Sequence, residues 1–163
     1  MRYDLQNVTD NRGMNAGGIC KIEFVPKDWI AAHFAPSAAD GAVHGKPTLI
    51  AGKSWLTGKM ERNGTSFDED GKLADAGDYA EQTINGSINK DILATNNLMN
   101  TLRYYEYVVI IYGKNGNNRI VGNKSSGMLF SSKYTSGATY ADKEVYRLSF
   151  THVMAENAPL LVV

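Results

Sequence analysis

The sequence has little cysteine, little proline and no net charge. Its 163 residues include one cysteine, Cys20, and four prolines. A single cysteine cannot form an internal disulfide, which excludes a small secreted domain held together by such bonds. Lys and Arg number 17, as do Asp and Glu, so the net charge is zero at neutral pH. Composition therefore gives no general attraction to nucleic acid or anionic membranes, and little electrostatic resistance to self-association.

Long apolar runs are also missing. No stretch approaches the length of about 20 residues that a membrane-spanning helix needs, and residues 1–17 lack the apolar segment of a signal peptide. We therefore expect a soluble protein without a membrane anchor, made and used in a cytoplasm. Cys20 lies in an alternating segment, ICKIEFV, and we expect it to be a buried small side chain rather than a reactive thiol.

The sequence is rich in turn residues and in segments of alternating polarity. Gly, Asn, Ser and Thr are plentiful, as in hairpin-rich β proteins. The segment YYEYVVIIY (104–112) is apolar on both faces and predicts a central strand, followed by a hairpin turn at Asn115-Gly116. Alternation predicts further strands at 19–25, 48–62 (broken at Gly52), 79–89, 119–121, 127–134 and 145–154.

A single helix is predicted, over residues 90–103, with Asn89 as its N-cap and one apolar face. The remainder indicates one domain, residues 18–163, preceded by a polar arm at 1–17. Within it we expect a mobile polar loop near 63–78 and a C-terminal extension at 155–163. The predicted fold class is mainly β, a β-sandwich or barrel with one flanking α-helix.

Motifs that carry chemistry are weak in this sequence. The GKS at 52–54 lacks the earlier glycine of a phosphate-binding loop, because position 47 is proline. The DEDG at 68–71 fails the ligand spacing of a calcium loop. The three histidines, His33, His44 and His152, are too scattered for a zinc signature. We therefore predict no catalytic, cofactor or metal residues and expect no enzyme.

Basic residues alternate with tyrosines in the C-terminal half, which is a pattern that nucleic-acid surfaces use. We interpret them instead as the polar face of a sheet. The residues concerned are Lys114, Arg119, Lys124, Lys133 and Arg147, near Tyr112, Tyr134 and Tyr146.

A family resemblance covers about residues 84–155. An amphipathic helix leads into YEYVVIIYGKNGNNRIVG, then GMLFSSKYTSG, an acidic turn ADKE and a closing strand VYRLSFTHV. This order resembles structural proteins of tailed bacteriophages, particularly tail-tube-like proteins from phages and prophages of Bacteroidetes-type bacteria. The resemblance implies a virion protein assembled in the host bacterial cytoplasm. Its copies would form hexameric rings that stack into a tube around a lumen through which DNA passes, and it would contact other tail proteins.

Such a protein acts through edges, hairpins and terminal segments that contact neighbouring subunits. The apolar C-terminal residues are expected to dock either on an adjacent subunit by β-addition or inside their own subunit. The acidic 68–78 segment is a candidate for the lumen wall, with Asp68, Glu69, Asp70 and Asp75. The candidate interface residues are Leu160, Leu161, Val162, Val163, Trp29, Trp55, Asn115 and Gly116; for the two tryptophans, burial in the subunit core is the alternative.

Two other functions remain open from the sequence. The first is another phage tail or connector ring protein, such as a terminator or baseplate component, because these reuse the same kind of barrel. The second is a small β-sandwich module that binds carbohydrate or protein, with Trp29, Trp55 and the tyrosines as its platform. A binding module is expected to stay monomeric, whereas a tube protein forms rings or filaments when concentrated.

Overall fold

A computed structural model describes residues 17–58, 60, 64–75, 77–89, 93–139 and 144–163. The described residues form ten strands and one α-helix, α1 (Leu93–Leu102). The strands are β1 (Ile19–Pro26), β2 (Val43–His44), β3 (Leu56–Gly58), β4 (Ser66–Ala74), β5 (Gly77–Asn89), β6 (Glu106–Gly113), β7 (Asn118–Val121), β8 (Met128–Thr135), β9 (Val145–Met154) and β10 (Leu160–Val162). The predicted class, mainly β with one helix, is confirmed. The arm predicted at 1–17 lies outside the described residues except for Gly17.

All ten strands belong to one curled sheet that branches at β6. One edge of β6 pairs with β1, and β1 pairs in turn with β3. The other edge of β6 is shared between β7 and β8. From β7 the sheet continues to β10 and β2, and from β8 it continues to β9, β5 and β4. The strand predicted to be central is therefore the strand at which the sheet divides.

Glycines make this branch point possible. Gly122 has a φ of 85°, which side chains disfavour, and a Cβ there would lie 2.9 Å from the Tyr107 carbonyl oxygen. A Cβ on Gly127 would lie 2.9 Å from both the Glu106 Cβ and the Tyr107 backbone nitrogen. The loop between β7 and β8 therefore passes too close to β6 for any side chain at these two positions.

The concave face of the sheet encloses the main hydrophobic core. Tyr107, Val109 and Ile111 of β6 point into it, with aromatic rings from β1, β8 and β9 around them. Phe130 and Phe150 lie with ring centroids 5.1 Å apart, in an edge-to-face arrangement that aromatic pairs favour. Helix α1 closes this face, because Met99 and Leu102 are buried against the same cluster.

The alternate residues of β6 face a second, smaller core. Val108 and Ile110 pack there with Ile120 of β7 and Leu161 of β10. The segment between β1 and β3 covers this side, and its Trp29 and Trp55 are partly buried against the cluster. A strand with a core on each face must be apolar at every position, which explains the run YVVII.

The prediction of a polar loop near 63–78 is wrong for most of that segment. Ser66–Ala74 form β4, which pairs in continuous register with β5 in a long hairpin. Asp and Gly disfavour strands, so local preference indicated a loop. Backbone pairing with β5 along the whole length of β4 overrides that preference. The predicted strand at 48–62 is likewise reduced, within the described residues, to the three residues of β3.

Two further expectations are corrected. Cys20 is exposed, because a register shift between Ile19 and Lys21 breaks the alternation of β1 at this position.

The segment 155–163 is not an extension: its β10 lies within the sheet, parallel to β2 and antiparallel to β7. Of the two docking modes expected for the C-terminal residues, the structure has the internal one.

Candidate functional site

The hairpin turn between β6 and β7 has the geometry that its sequence predicts. Gly116 has a φ of 82°, and the Asn117 backbone N–H donates to Asn115 Oδ1 at 3.1 Å. The Gly113 N–H donates to the Asn117 carbonyl at 3.2 Å. Asn115 and Gly116 are both exposed at the tip, so they are available for contact but bring no reactive group.

The other candidate interface residues differ in accessibility. Leu161 is buried in the second core, whereas Leu160, Val162 and Val163 are exposed. Trp29 is partly buried, and the Lys53 ammonium lies 4.6 Å from its ring centroid. Both tryptophans thus contribute to the subunit core, which was the alternative expected for them.

The acidic candidates for a lumen wall do not share one surface. Asp68 and Asp70 are exposed on the outer face of β4, and Asp75 is exposed at the hairpin tip. Glu69 points to the opposite face, where its Oε2 accepts hydrogen bonds from Gln82 Nε2 at 2.9 Å and from the Ala158 N–H at 2.6 Å. Glu69 therefore ties the hairpin to the segment before β10.

A buried polar chain continues from this carboxylate. Gln82 Oε1 lies 3.3 Å from His152 Nδ1, and His152 Nε2 lies 3.0 Å from Ser126 Oγ. Burial lowers the pKa of His152, against the opposing effects of its Ser126 hydrogen bond and the Glu106 charge. The imidazole is therefore neutral at neutral pH, as expected for a histidine whose hydrogen bonds are satisfied inside the protein.

This serine and histidine pair resembles part of a hydrolase triad, but the surrounding donors are already used. The Ser126 backbone N–H donates to Asn123 Oδ1, and the Gly127 N–H donates to Glu106 Oε2. An oxyanion hole needs such N–H groups directed at the substrate. The third member, Gln82, is neutral and supplies no negative charge to stabilise an imidazolium. The chain is better suited to holding β5, β9 and the 122–127 loop together.

A second polar cluster surrounds Glu23 on the other side of the sheet. Glu23 is only 7% exposed. Its carboxylate accepts from Tyr112 Oη at 2.8 Å, from Lys21 Nζ at 2.7 Å and from Lys46 Nζ. Burial alone would raise the pKa of Glu23, but these three hydrogen bonds outweigh it and lower the pKa to about 2. The cluster fastens the segment around Lys46 to β1 and β6.

Sequence reasoning found neither polar cluster, because their members are distant in the chain. Lys46 is 23 positions from Glu23, and Tyr112 is 89 positions from it.

The other two histidines, His33 and His44, do not lie beside His152. His44 instead pairs with Asp40 at 2.8 Å. Within the described ranges, no three His, Cys, Asp or Glu side chains are grouped to hold a metal ion. In the same ranges, no helix is long and apolar enough to cross a bilayer.

Comparisons with protein-family models, curated proteins and solved structures found no match to this chain.

Proposed function

We propose that this chain is a structural subunit that assembles with copies of itself into rings, as a tail tube protein of a tailed bacteriophage does. The observation that carries the proposal is the β4–β5 hairpin. Among the described strands, β4 pairs only with β5. Within that part of the chain, the other edge of its nine residues presents backbone N–H and C=O groups with no strand partner. Such an edge is a template for pairing with another chain.

The hairpin also projects beyond its neighbour. Met154, the last residue of β9, is paired with Ala80. Residues 77–79 and their partners 72–74 therefore extend past the end of β9. Leu73 in this tip is 86% exposed. An apolar side chain at the end of a projecting hairpin is suited to burial against a second subunit.

The phage assignment is supported by a different observation, the resemblance of residues 84–155 to tail-tube-like proteins. A mainly β fold with one helix closing a curled sheet is compatible with it. In such a tube, the partners are further copies of the chain, other tail proteins and the DNA that passes through the lumen. We place the protein in the virion tail, after assembly in the bacterial cytoplasm.

The test compares assembly of the native chain with that of Leu73→Lys, by analytical ultracentrifugation and negative-stain electron microscopy over a concentration series. Burial of one leucine is worth about 1.5–3 kcal/mol, so we expect the variant to need about tenfold more protein, or more, to assemble. Leu93→Lys is the matched control, because Leu93 is 77% exposed on α1, which follows the end of β5 opposite to the hairpin tip.

Rings or tubes that form in the native chain and in Leu93→Lys, but not in Leu73→Lys, would support the proposal. A native chain that stays monomeric at every concentration would contradict it and favour a binding module. Equal assembly of all three proteins would support self-assembly but show that the hairpin tip is not part of the contact between subunits.

A further inference from the structure

A shallow groove of about 400 Å³ lies on the outer face of β5, β8 and β9, on the side away from the main core. Two rows of side chains form its floor. Cross-strand register places Asn85, Ser149 and Ser131 in one row, and Ser87, Arg147 and Lys133 in the next. Gly64, just before β4, borders the groove on one side. The floor belongs to paired strands, so its groups are held at fixed spacing.

The two cations in this groove are adjacent. Lys133 and Arg147 are directly opposite each other on β8 and β9, and both are exposed. Like charges in this position destabilise a sheet by up to about 1 kcal/mol. Neither side chain forms an ion pair with the described carboxylates. The pair therefore contributes unfavourably to stability unless an anion lies between the two groups.

Among the residues that the structure describes, the acidic groups on the same face are too far away to act as that anion. The described residues that line the groove include no Asp or Glu. Asp68 aligns through Thr83 with Thr151. Thr151 is four residues along β9 from Arg147, an offset of about 13 Å, and Asp68 lies two strands farther across the sheet. Glu81 aligns with Val153, which is about 20 Å from Arg147. Both distances exceed the screening length of about 8–10 Å at physiological salt.

We propose that this groove binds a phosphate group. Arg147 offers two parallel N–H donors to two phosphate oxygens, and Lys133 offers a point charge beside it. The hydroxyls of Ser131 and Ser149 and the amide of Asn85 add donors in the adjacent row. The ligand recognised is a phosphate group with at least two unesterified oxygens. Inorganic phosphate, a nucleotide and a nucleic-acid backbone all carry such a group. The inference does not depend on the proposed assembly.

Isothermal titration calorimetry of the full chain in a phosphate-free, low-salt buffer tests it. The probes are inorganic phosphate, a nucleoside 5′-monophosphate, a short single-stranded DNA oligonucleotide and, as a carboxylate comparison, acetate. We expect Arg147→Gln to weaken binding of the phosphate probes by about tenfold or more, because it removes charged hydrogen bonds. Lys133→Gln should weaken it less. Lys53→Gln is the matched control, because Lys53 lies over Trp29, away from the groove.

Thermal unfolding without ligand gives a second measurement. Relief of the like-charge contact should leave the unfolding temperature of Lys133→Gln equal to or above that of the native chain, which shows that lost binding is not lost folding. Binding of one phosphate probe that is removed by the groove variants, but not by Lys53→Gln, supports the proposal and identifies the source of the phosphate. No binding of any probe, equal binding by all variants, or acetate binding as tight as phosphate binding would overturn it.

Discussion

Phe24 of β1 and Phe150 of β9 lie with ring centroids 5.8 Å apart, although β6 and β8 separate their strands in the sheet. The contact exists because the sheet curls until β1 and β9 face each other across the core. Tyr107 completes the group, at 5.6 Å from Phe24 and 5.7 Å from Phe150. The curl of the sheet is thus fixed by three rings from three strands.

A double-mutant cycle on this pair tests that interpretation. Phe24→Leu and Phe150→Leu should each destabilise the fold, and the double variant should lose less than the sum. We expect a coupling energy of about 0.5–1.5 kcal/mol, measured by urea unfolding. Additive losses would mean that the two rings stabilise the sheet independently.

Replacing Tyr107 by Phe removes one buried hydrogen bond and keeps the ring. The Tyr107 hydroxyl donates to the Leu102 carbonyl at 2.9 Å, at the end of α1. The variant leaves that carbonyl without this donor, and we expect a loss of about 1–2 kcal/mol in the free energy of unfolding. Tyr104→Phe is the control, since Tyr104 is 82% exposed, and it should change stability by less than about 0.5 kcal/mol.

Stability at acid pH should depend on Glu23. Its pKa is about 2 in the folded chain against an ordinary 4.5, so the unfolded chain binds more protons between these values. The resulting stabilisation is complete above pH 4.5 and is lost as the pH falls toward 2. It amounts to a contribution on the order of 3 kcal/mol. Urea unfolding at pH 7 and pH 3 should show this loss in the native chain and a much smaller one in Glu23→Gln.

Glu81→Gln is the matched control for that experiment. Glu81 pairs with Lys72 at 2.5 Å, but both side chains are more than one-third exposed. Such surface pairs contribute little to stability, because water and salt screen the two charges. If Glu81→Gln flattened the acid dependence as much as Glu23→Gln does, burial of the Glu23 cluster would not be the cause.

His152 should impose a separate pH dependence. Burial lowers its pKa in the folded chain, so the unfolded chain binds its proton first as the pH falls. The contribution of His152 to the free energy of unfolding is therefore at its full value above the ordinary pKa of 6.5. It decreases as the pH falls from 6.5 to the lower pKa of the folded chain. His152→Gln should remove this slope between neutral and mildly acid pH. An unchanged slope, measured by thermal unfolding across that range, would refute the assignment.

The branch point at β6 should not tolerate a methyl group. Gly127→Ala places a Cβ within 2.9 Å of the Glu106 Cβ, and we expect a loss of about 1–3 kcal/mol from the forced shift of the strand. Gly71→Ala is the control, because a Cβ there meets nothing within 4 Å. That variant should be neutral or slightly stabilising in chemical unfolding.

The sequence could predict those elements whose own side chains determine them. Strand β9 occupies the predicted residues, 145–154, because apolar and polar residues alternate along most of it, from Tyr146 to Thr151. Strand β6 was predicted to be central because it is apolar at successive positions, and the structure places a core on each of its faces. The turn at Asn115-Gly116 was predictable from residues that tolerate positive φ.

Elements that depend on distant partners could not be predicted in this way. Strand β4 is polar and contains Gly71, so only its pairing with β5 makes it a strand. The polar clusters around Glu23 and His152 join residues whose proximity is set by the sheet topology. The groove proposed to bind phosphate could be predicted in part. The sequence shows Lys133 and Arg147 as members of a basic pattern, but only the strand register shows that they lie directly opposite each other on β8 and β9.

The position of β10 bears on how the chain reaches its folded form. Leu161 pairs with Val43, which lies 118 positions earlier in the chain. The Leu161 side chain also fills the second core. During synthesis, the segment that covers this core is made long before the strand that completes it. Val43 therefore stays without its β10 partner until all the other described strands have emerged from the ribosome. Because contacts between distant parts of a chain form slowly, completion of this core is expected to be the late step of folding and the stage most vulnerable to proteases.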